Sequence, residues 1–321
     1  MDPLLAHLEA AIVAGPTAVG KSALGLELAR RAPGEIVAAD SMQVYAGLDV
    51  GTGKATAEER AAVPHHLLDC CAPAEGFSAG EFARRARALT GEIRSRGRLP
   101  VLVGGTGLYL RAFLRGGLAG AAGDRRLRAR LMEEAQPDGG AALFRRLAEA
   151  DPASAARIHP GDLVRIVRAL ELLELTGEPP SRRRPGLWEP VATGASLFLV
   201  LVREREELYR LIDDRCLRMW RGGLLEETRS LLGAGPPEEI RPLQALGYRQ
   251  AAAYLSGRLS AEAALDDMRR ATRNYAKRQL TWFRREPAAR WITVRGWDWV
   301  EPLARRLLAG EWEDATTPLA G

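Results

Sequence analysis

Eight residues constrain this chain more than any others: Gly15-Pro16-Thr17-Ala18-Val19-Gly20-Lys21-Ser22. Two glycines flank four residues and are followed by Lys and Ser, the spacing of a phosphate loop. The apolar run Ala11-Ile12-Val13-Ala14 precedes them and reads as a buried parallel strand. A helical pattern follows, with Leu24, Leu26, Leu28 and Ala29 before Arg30 and Arg31. Strand, glycine loop and helix in that order aim successive backbone N–H groups and the positive end of the helix at one point, which suits a phosphate or a nucleotide. Lys21 adds a point charge, and the Ser22 hydroxyl can ligate a magnesium ion carried by the phosphates. A glycine-rich turn that merely starts a helix would not account for the lysine. The chain has three lysines, at 21, 54 and 277, and is otherwise an arginine user. It nevertheless places Lys where a phosphate loop needs a compact ammonium.

Around this loop the sequence predicts an α/β fold: a phosphate-loop core built on a parallel sheet, with an inserted all-helical domain. Strands are expected at Ala11–Ala14, Ile36–Ala39, near His66–Asp69 and at Pro100–Val103, with a helix over about Ser78–Arg96. Such alternation gives a parallel sheet with ligand-binding loops at the carboxyl ends of its strands. The pattern turns helical from about Gly116 to Pro190, through Asp124–Ala135, Ala141–Ala150, Pro152–Ile158 and Asp162–Thr176. Leu197–Val202 then returns as a buried strand. Long helices follow over about Arg205–Gly233, Pro242–Leu255 and Ser260–Arg285, with a last strand at Arg290–Val294 and a peripheral tail. The expected division is residues 1–115 (core, first part), 116–190 (helical insertion) and 191–321 (core, second part).

With 46% hydrophobic and 27% charged residues, the composition is that of a soluble globular protein. No apolar run reaches the length of a membrane span and no leader is evident, so a cytoplasmic protein is expected. Cys70, Cys71 and Cys216 make neither a disulfide framework nor a metal-ligand spacing.

Asp40 follows the Ile36–Ala39 strand and opens Asp40-Ser41-Met42-Gln43-Val44-Tyr45. Two readings stand: a carboxylate aimed into the ligand crevice from the strand next to the phosphate loop, or a cap or turn aspartate. The segment Gly104-Gly105-Thr106-Gly107-Leu108-Tyr109 is a second glycine loop, whose Thr106 hydroxyl can donate to a phosphate. Val101-Leu102-Val103 runs into Gly104 without the acid that motor-type NTPases carry there, which weighs against nucleotide hydrolysis. Net charge is +5. Basic residues gather at Arg165 and Arg168, at Arg182-Arg183-Arg184, along Arg269, Arg273 and Lys277, and around Trp282 and Phe283. Any one of these can be a solvated face. Together, interleaved with aromatics, they fit a phosphate backbone, RNA rather than DNA if bases are splayed out.

In this order the segments resemble the bacterial-type tRNA dimethylallyltransferases, also called tRNA isopentenyl transferases. Besides Gly15–Ser22 and Asp40–Tyr45, the resemblance runs through Gly51-Thr52-Gly53-Lys54, Pro64-His65-His66-Leu67-Leu68-Asp69, Leu102–Tyr109, Arg157-Ile158-His159-Pro160, Arg168-Ala169-Leu170-Glu171, Leu246-Gly247-Tyr248-Arg249 and Ala276-Lys277-Arg278-Gln279-Leu280-Thr281-Trp282. The resemblance implies transfer of a dimethylallyl group from its diphosphate to the exocyclic amine of the adenine just 3′ of the anticodon. By that resemblance the phosphate loop cradles the diphosphate with Mg²⁺, Asp40 accepts the proton, and Thr106 and Arg215 stabilise the diphosphate side. The family's tRNA contacts fall on Asp40, Ser41, Met42, Gln43, Thr106, Arg128, Val164, Arg165, Ile166, Val167, Arg168, Gln244, Ala245, Leu246, Gly247, Tyr248 and Arg249. The insertion would grip the anticodon stem-loop. The segment Gly117–Gly123 lacks the family's prolines, so the geometry of the hinge is its own. A monomer without zinc is expected. The rivals are a small-molecule kinase using the loop for ATP, an enzyme prenylating free adenine nucleotides, and a non-enzymatic RNA-binding protein.

Overall fold

The computed structural model describes residues 8–116, 123–182, 196–237 and 240–311. The chain divides into two compact units, Met1–Gly117 with Pro190–Gly321, and Leu118–Glu189.

The first unit is built on β1 (Ala11–Ala14), β2 (Gly34–Ala38), β3 (His65–His66), β4 (Leu99–Gly104), β5 (Leu197–Val202) and β6 (Arg290–Thr293). Among the described residues these form one sheet in the order β3-β2-β4-β1-β5-β6, with every pairing parallel. The β1, β4 and β5 strands are buried along their whole length, as near-continuous apolar runs require when helices cover both faces. Ile12 pairs with Leu102 on one side and Phe198 on the other, so the phosphate-loop strand lies in the middle of the core. The sequence reading placed β2 next to β1. In the structure β4 lies between them, so Asp40 is two strands from the phosphate loop and the second glycine loop sits in between.

Helix α1 (Lys21–Arg31) follows the phosphate loop, α2 spans Ala57–Ala62, α3 spans Ala79–Ser95 and α4 spans Gly107–Leu114. The short α2 has no apolar stripe to betray it. Its start is fixed by a capping box, in which the Thr56 side chain accepts from Glu59 N–H and Glu59 reaches back to Thr56 N–H. The stretch read as one helix over Arg205–Gly233 is two, α9 (Arg205–Arg221) and α10 (Leu224–Leu232). The break falls at Gly222 and Gly223, where Gly223 has φ 126°. Likewise Pro242–Leu255 divides into a 3₁₀ turn, Arg241–Gln244, and α11 (Tyr248–Leu255), separated by Gly247 at φ 88°. The long α12 (Ala261–Phe283) begins at the Ser260 cap. The tail is not wholly peripheral: α13 (Val300–Leu308) buries Leu303, Ala304 and Leu307 and packs on α1, where Arg31 pairs with Glu301.

The second unit contains α5 (Arg125–Glu134), α6 (Ala141–Ala150), α7 (Pro152–Ala155) and α8 (Leu163–Thr176). Leu131, Leu143, Leu147, Ile166 and Leu170 form its core. Asp124 caps α5 and Asp162 caps α8, each side chain accepting from backbone N–H groups of the first turn. Glu171 is fully buried and accepts from Asp124 N–H and from the guanidinium groups of Arg128 and Arg168. Residues 117–122 of the hinge, and Arg183 and Arg184 of the basic loop, lie outside the described residues.

Candidate active site

The phosphate loop is held in a conformation that most side chains would resist. Gly15 has φ 139°, and a Cβ there would stand 2.6 Å from the Leu201 carbonyl oxygen. Gly20 starts α1 in the left-handed region with no side-chain cap, leaving the first-turn N–H groups of the helix to a ligand. Ala18 also has positive φ, 64°, a strain of the kind that collects at functional loops. Lys21 Nζ donates to Pro16 O at 2.7 Å across the loop. The Lys21 ammonium is lowered to about 7, first by burial and then by the neighbouring Arg215, with Asp40 opposing both. Ser22 is exposed and lines the same cleft. The back of the loop is bolted by Arg203, whose Nε donates to Val19 O at 3.1 Å and whose Nη2 donates to Gly296 O at 2.7 Å. Trp297 covers that guanidinium, 4.7 Å from ring centroid to Cζ.

Asp40 stands just beyond β2. No helix starts there, so the capping reading fails; Asp40 Oδ1 instead accepts from Met42 N–H at 2.8 Å, within a turn. The second glycine loop reaches it through Thr106, whose Oγ1 accepts from Ser41 N–H at 3.0 Å. Gly104 is pressed against the preceding residue of the Asp40 strand, since a Cβ there would lie 2.0 Å from Ala39 O. Arg215, on α9, donates from Nη2 to Thr52 O at 3.3 Å. Burial lowers its guanidinium pKa and the Asp40 carboxylate acts to raise it. Gln43 donates to Thr52 O and Gly53 O, which ties the Asp40 turn to the same loop.

Two charge clusters hold these loops. Lys54, the second lysine, is buried and donates to Tyr45 O at 2.7 Å, Asp49 at 3.0 Å and Asp69 at 2.5 Å. Glu227 accepts from the N–H groups of Asp49, Val50 and Gly51 and from the Tyr248 hydroxyl. These ties explain why Gly51–Lys54 and Leu246–Arg249 carry recognisable sequence.

A cleft of ≈ 1190 Å³ joins these parts within the first unit, lined among others by Thr17, Lys21, Ser22, Asp40, Arg215 and Arg278. Ser41, Met42, Gln43, Gln244, Ala245, Leu246 and Arg249 line it too. Tyr248 is wholly buried and Gly247 is buried beside it, so within that segment Gln244 and Arg249 are the exposed side chains. In the helical unit Ile166 and Val167 belong to the core. Val164 is 75% exposed and Arg165 is exposed next to it, while Arg128 and Arg168 divide their charge between solvent and Glu171. The stripe of Arg269, Arg273 and Lys277 is less free than its spacing suggests. Arg269 pairs with Asp266 and Arg273 with Asp213, leaving Lys277 as its exposed charge.

Several site residues escaped sequence reasoning. Gln279, Tyr275 and Arg278 reach the cleft from α12, and the Tyr275 hydroxyl lies against the Thr106 and Gln279 side chains, its pKa raised by burial. For Arg278 and Gln279 the signal was the run Ala276–Trp282, which no local chemistry makes conspicuous; Tyr275 lies just before it.

The chain's relatives are consistent in name. A family model described as IPP transferase matches residues 43–286. A tRNA dimethylallyltransferase from Syntrophobacter fumaroxidans is 50% identical over 89% of this chain and 83% of its own length. That from Myxococcus xanthus is 50% identical over 87% and 90%. Among solved structures, the full-length tRNA isopentenylpyrophosphate transferase from Bacillus halodurans superposes with TM-score 0.66 at 39% identity, covering 95% of this chain and 97% of that one. A eukaryotic dimethylallyltransferase described as acting on tRNA gives TM-score 0.78 at 26% identity, covering 97% and 81%.

Proposed function

The chain belongs to the IPP transferase family, and on that premise we propose that it transfers a dimethylallyl group from dimethylallyl diphosphate to the exocyclic amine of the adenine 3′-adjacent to the tRNA anticodon, releasing diphosphate. The observation that carries the reading is one cleft that brings a phosphate loop with two flanking cations, Lys21 and Arg215, to the same space as the Asp40 carboxylate.

The chemistry asks for both ends of that cleft. A bond forms between the amine nitrogen and the first carbon of the dimethylallyl group as the carbon–oxygen bond to diphosphate breaks. An adenine amine is a weak nucleophile, its lone pair delocalised into the ring, and Asp40 is positioned to accept its proton as the bond forms. Negative charge grows on the leaving diphosphate. The free N–H groups of the phosphate loop, Lys21 and Arg215 are fixed before the reaction begins and stabilise that charge without rearranging. Thr106, bonded to Ser41 N–H, keeps the base-bearing turn against the second glycine loop. An adenine stacked in an anticodon loop is reached only when flipped out.

Magnesium fits this donor set as an ion brought by the phosphates. Ser22 offers one hydroxyl at the mouth of α1, and among the described residues no group of three or more His, Cys, Asp or Glu could hold a metal alone. Such an ion adds charge neutralisation at the diphosphate. Within the reading the protein acts as a monomer in the cytoplasm, where its tRNA substrate is met. Among the described residues no helix is long and apolar enough to cross a membrane.

The test is radiolabelled dimethylallyl diphosphate with bulk unmodified tRNA, AMP as a parallel acceptor, and nuclease digestion of the product. Label on an adenosine next to the anticodon is expected. Label on AMP alone, or phosphoryl transfer when ATP replaces the donor, would overturn it.

A further inference from the structure

One side chain connects the two loops that must hold the reactants at a fixed separation. Gln279 is buried on α12. Its Oε1 accepts from Thr17 N–H of the phosphate loop at 2.9 Å, and its Nε2 donates to Gly105 O of the second glycine loop at 2.9 Å. The chain of contacts then continues through Thr106 Oγ1, which accepts from Ser41 N–H, to the turn closed by Asp40 Oδ1 and Met42 N–H. Two of the three glycines of the second loop, Gly105 and Gly107, are shaped by the same helix. A Cβ at Gly105 would stand 2.2 Å from Gln279 Nε2, and one at Gly107 would stand 2.1 Å from Trp282 Cδ1.

We propose that Gln279 is a positioning residue for the transfer, setting the distance between the leaving diphosphate and the Asp40 carboxylate by clamping Thr17 to Gly105. The inference rests on the functional reading above and adds a residue to it. A primary amide suits the task because it supplies one acceptor and one donor on a single planar group. Neither carboxylate nor thioether can do both. The contribution is one of geometry: displacement of a reacting group by about 1 Å costs on the order of a hundredfold in rate. The diphosphate itself keeps Lys21, Arg215 and the remaining loop N–H groups, so donor affinity depends little on Gln279.

The experiment uses the full chain with unmodified tRNA, comparing the parent with Gln279→Met, Gln279→Glu, Thr106→Val and the Gln279→Met/Thr106→Val pair. Gln279→Met is expected to lower the single-turnover rate at saturating substrates by about ten- to a hundredfold, with KM for the donor within a few-fold of the parent. Gln279→Glu keeps the acceptor for Thr17 but sets oxygen against Gly105 O, and its rate should fall likewise. It serves as the probe if the Met variant fails to fold. Because Gln279 and Thr106 lie on one chain of contacts, the double variant should be far less than the product of the two losses. A Gln279→Met or Gln279→Glu rate within twofold of the parent overturns the inference, as does a loss confined to donor KM or losses that multiply. A parent that makes no prenylated tRNA overturns the functional reading and this inference with it. An active parent matched by its Gln279 variants overturns this inference alone.

Discussion

At the scale of single residues, Asp40 and Lys21 carry the sharpest expectations. Asp40→Asn preserves shape and the bond from Met42 N–H but cannot take a proton. The rate should fall about a hundred- to ten-thousandfold, the span of a positioned general base, while donor binding survives on the phosphate loop. Single-turnover rates set against tRNA affinity decide this; activity near the parent's would leave Asp40 only its turn. Lys21 predicts a pH effect whose sign follows from its environment. In the free protein its ammonium is lowered to about 7, whereas a bound diphosphate favours the charged form. Donor binding at pH 8 should therefore take up about one proton, and affinity should decline as pH rises above 7. Calorimetry in buffers of different ionisation heat measures this directly, and a Lys21→Met variant should show no uptake. For the free fold the sign reverses: the unfolded chain holds that proton up to the ordinary lysine range, so this group favours folding more as pH climbs from 7 towards 10. The phosphate loop was legible because its backbone needs are local. Gln279 was not, since its partners Thr17 and Gly105 lie 262 and 174 residues away.

At the scale of elements, the buried strands and most long helices can be read from apolar runs and caps. Their interruptions are harder to read. Gly222-Gly223 breaks α9 from α10, and what the break accomplishes shows only in three dimensions: it turns Glu227 onto the N–H groups of Asp49, Val50 and Gly51 and onto the Tyr248 hydroxyl. Tyr248 likewise reads as a surface contact in sequence, because nothing local marks its acceptor 21 residues upstream. Removing Glu227 by substitution to Ala would leave a buried hydroxyl and three backbone donors without this acceptor. The expected loss is about 2–4 kcal/mol of folding stability, with Tyr248→Phe losing about 1 kcal/mol. Urea denaturation measures both, and a Glu227→Ala midpoint equal to the parent's would mean water replaces the carboxylate at no loss. The order of strands was the other miss. β2 and β4 have similar apolar character, so nothing in either strand says which one lies against β1.

At the scale of the whole molecule, donor and RNA recognition differ in how widely they are distributed. On the proposed reading the donor's charge meets one cleft of the first unit, which Lys21 and Arg215 line. The expected RNA contacts are spread over both units: Ser41–Gln43, Gln244 and Arg249 in the first, and Arg128, Val164, Arg165 and Arg168 in the second. Net charge of +5 on 321 residues is modest, so RNA affinity has to come from where the arginines stand. The helical unit tests this most cleanly, because its arginines are not all alike. Arg165 is 70% exposed and leans on Asp162 at 3.3 Å, a weak surface pair. Arg168 is bound to the buried Glu171, which also receives Arg128. Arg165→Ala should leave the fold intact and reduce the salt slope of tRNA binding by about one phosphate contact. Adding Arg168→Ala should remove up to one more and also lower stability, because the buried Glu171 then keeps only Arg128 and the Asp124 N–H. At saturating tRNA the double variant should still turn over near the parent's rate, with an unchanged KM for dimethylallyl diphosphate, since neither arginine belongs to the transfer cleft. Filter binding across a salt series, with single-turnover rates in parallel, reads out both halves. A salt slope equal to the parent's would make this helix face a solvated surface and leave RNA recognition to the first unit.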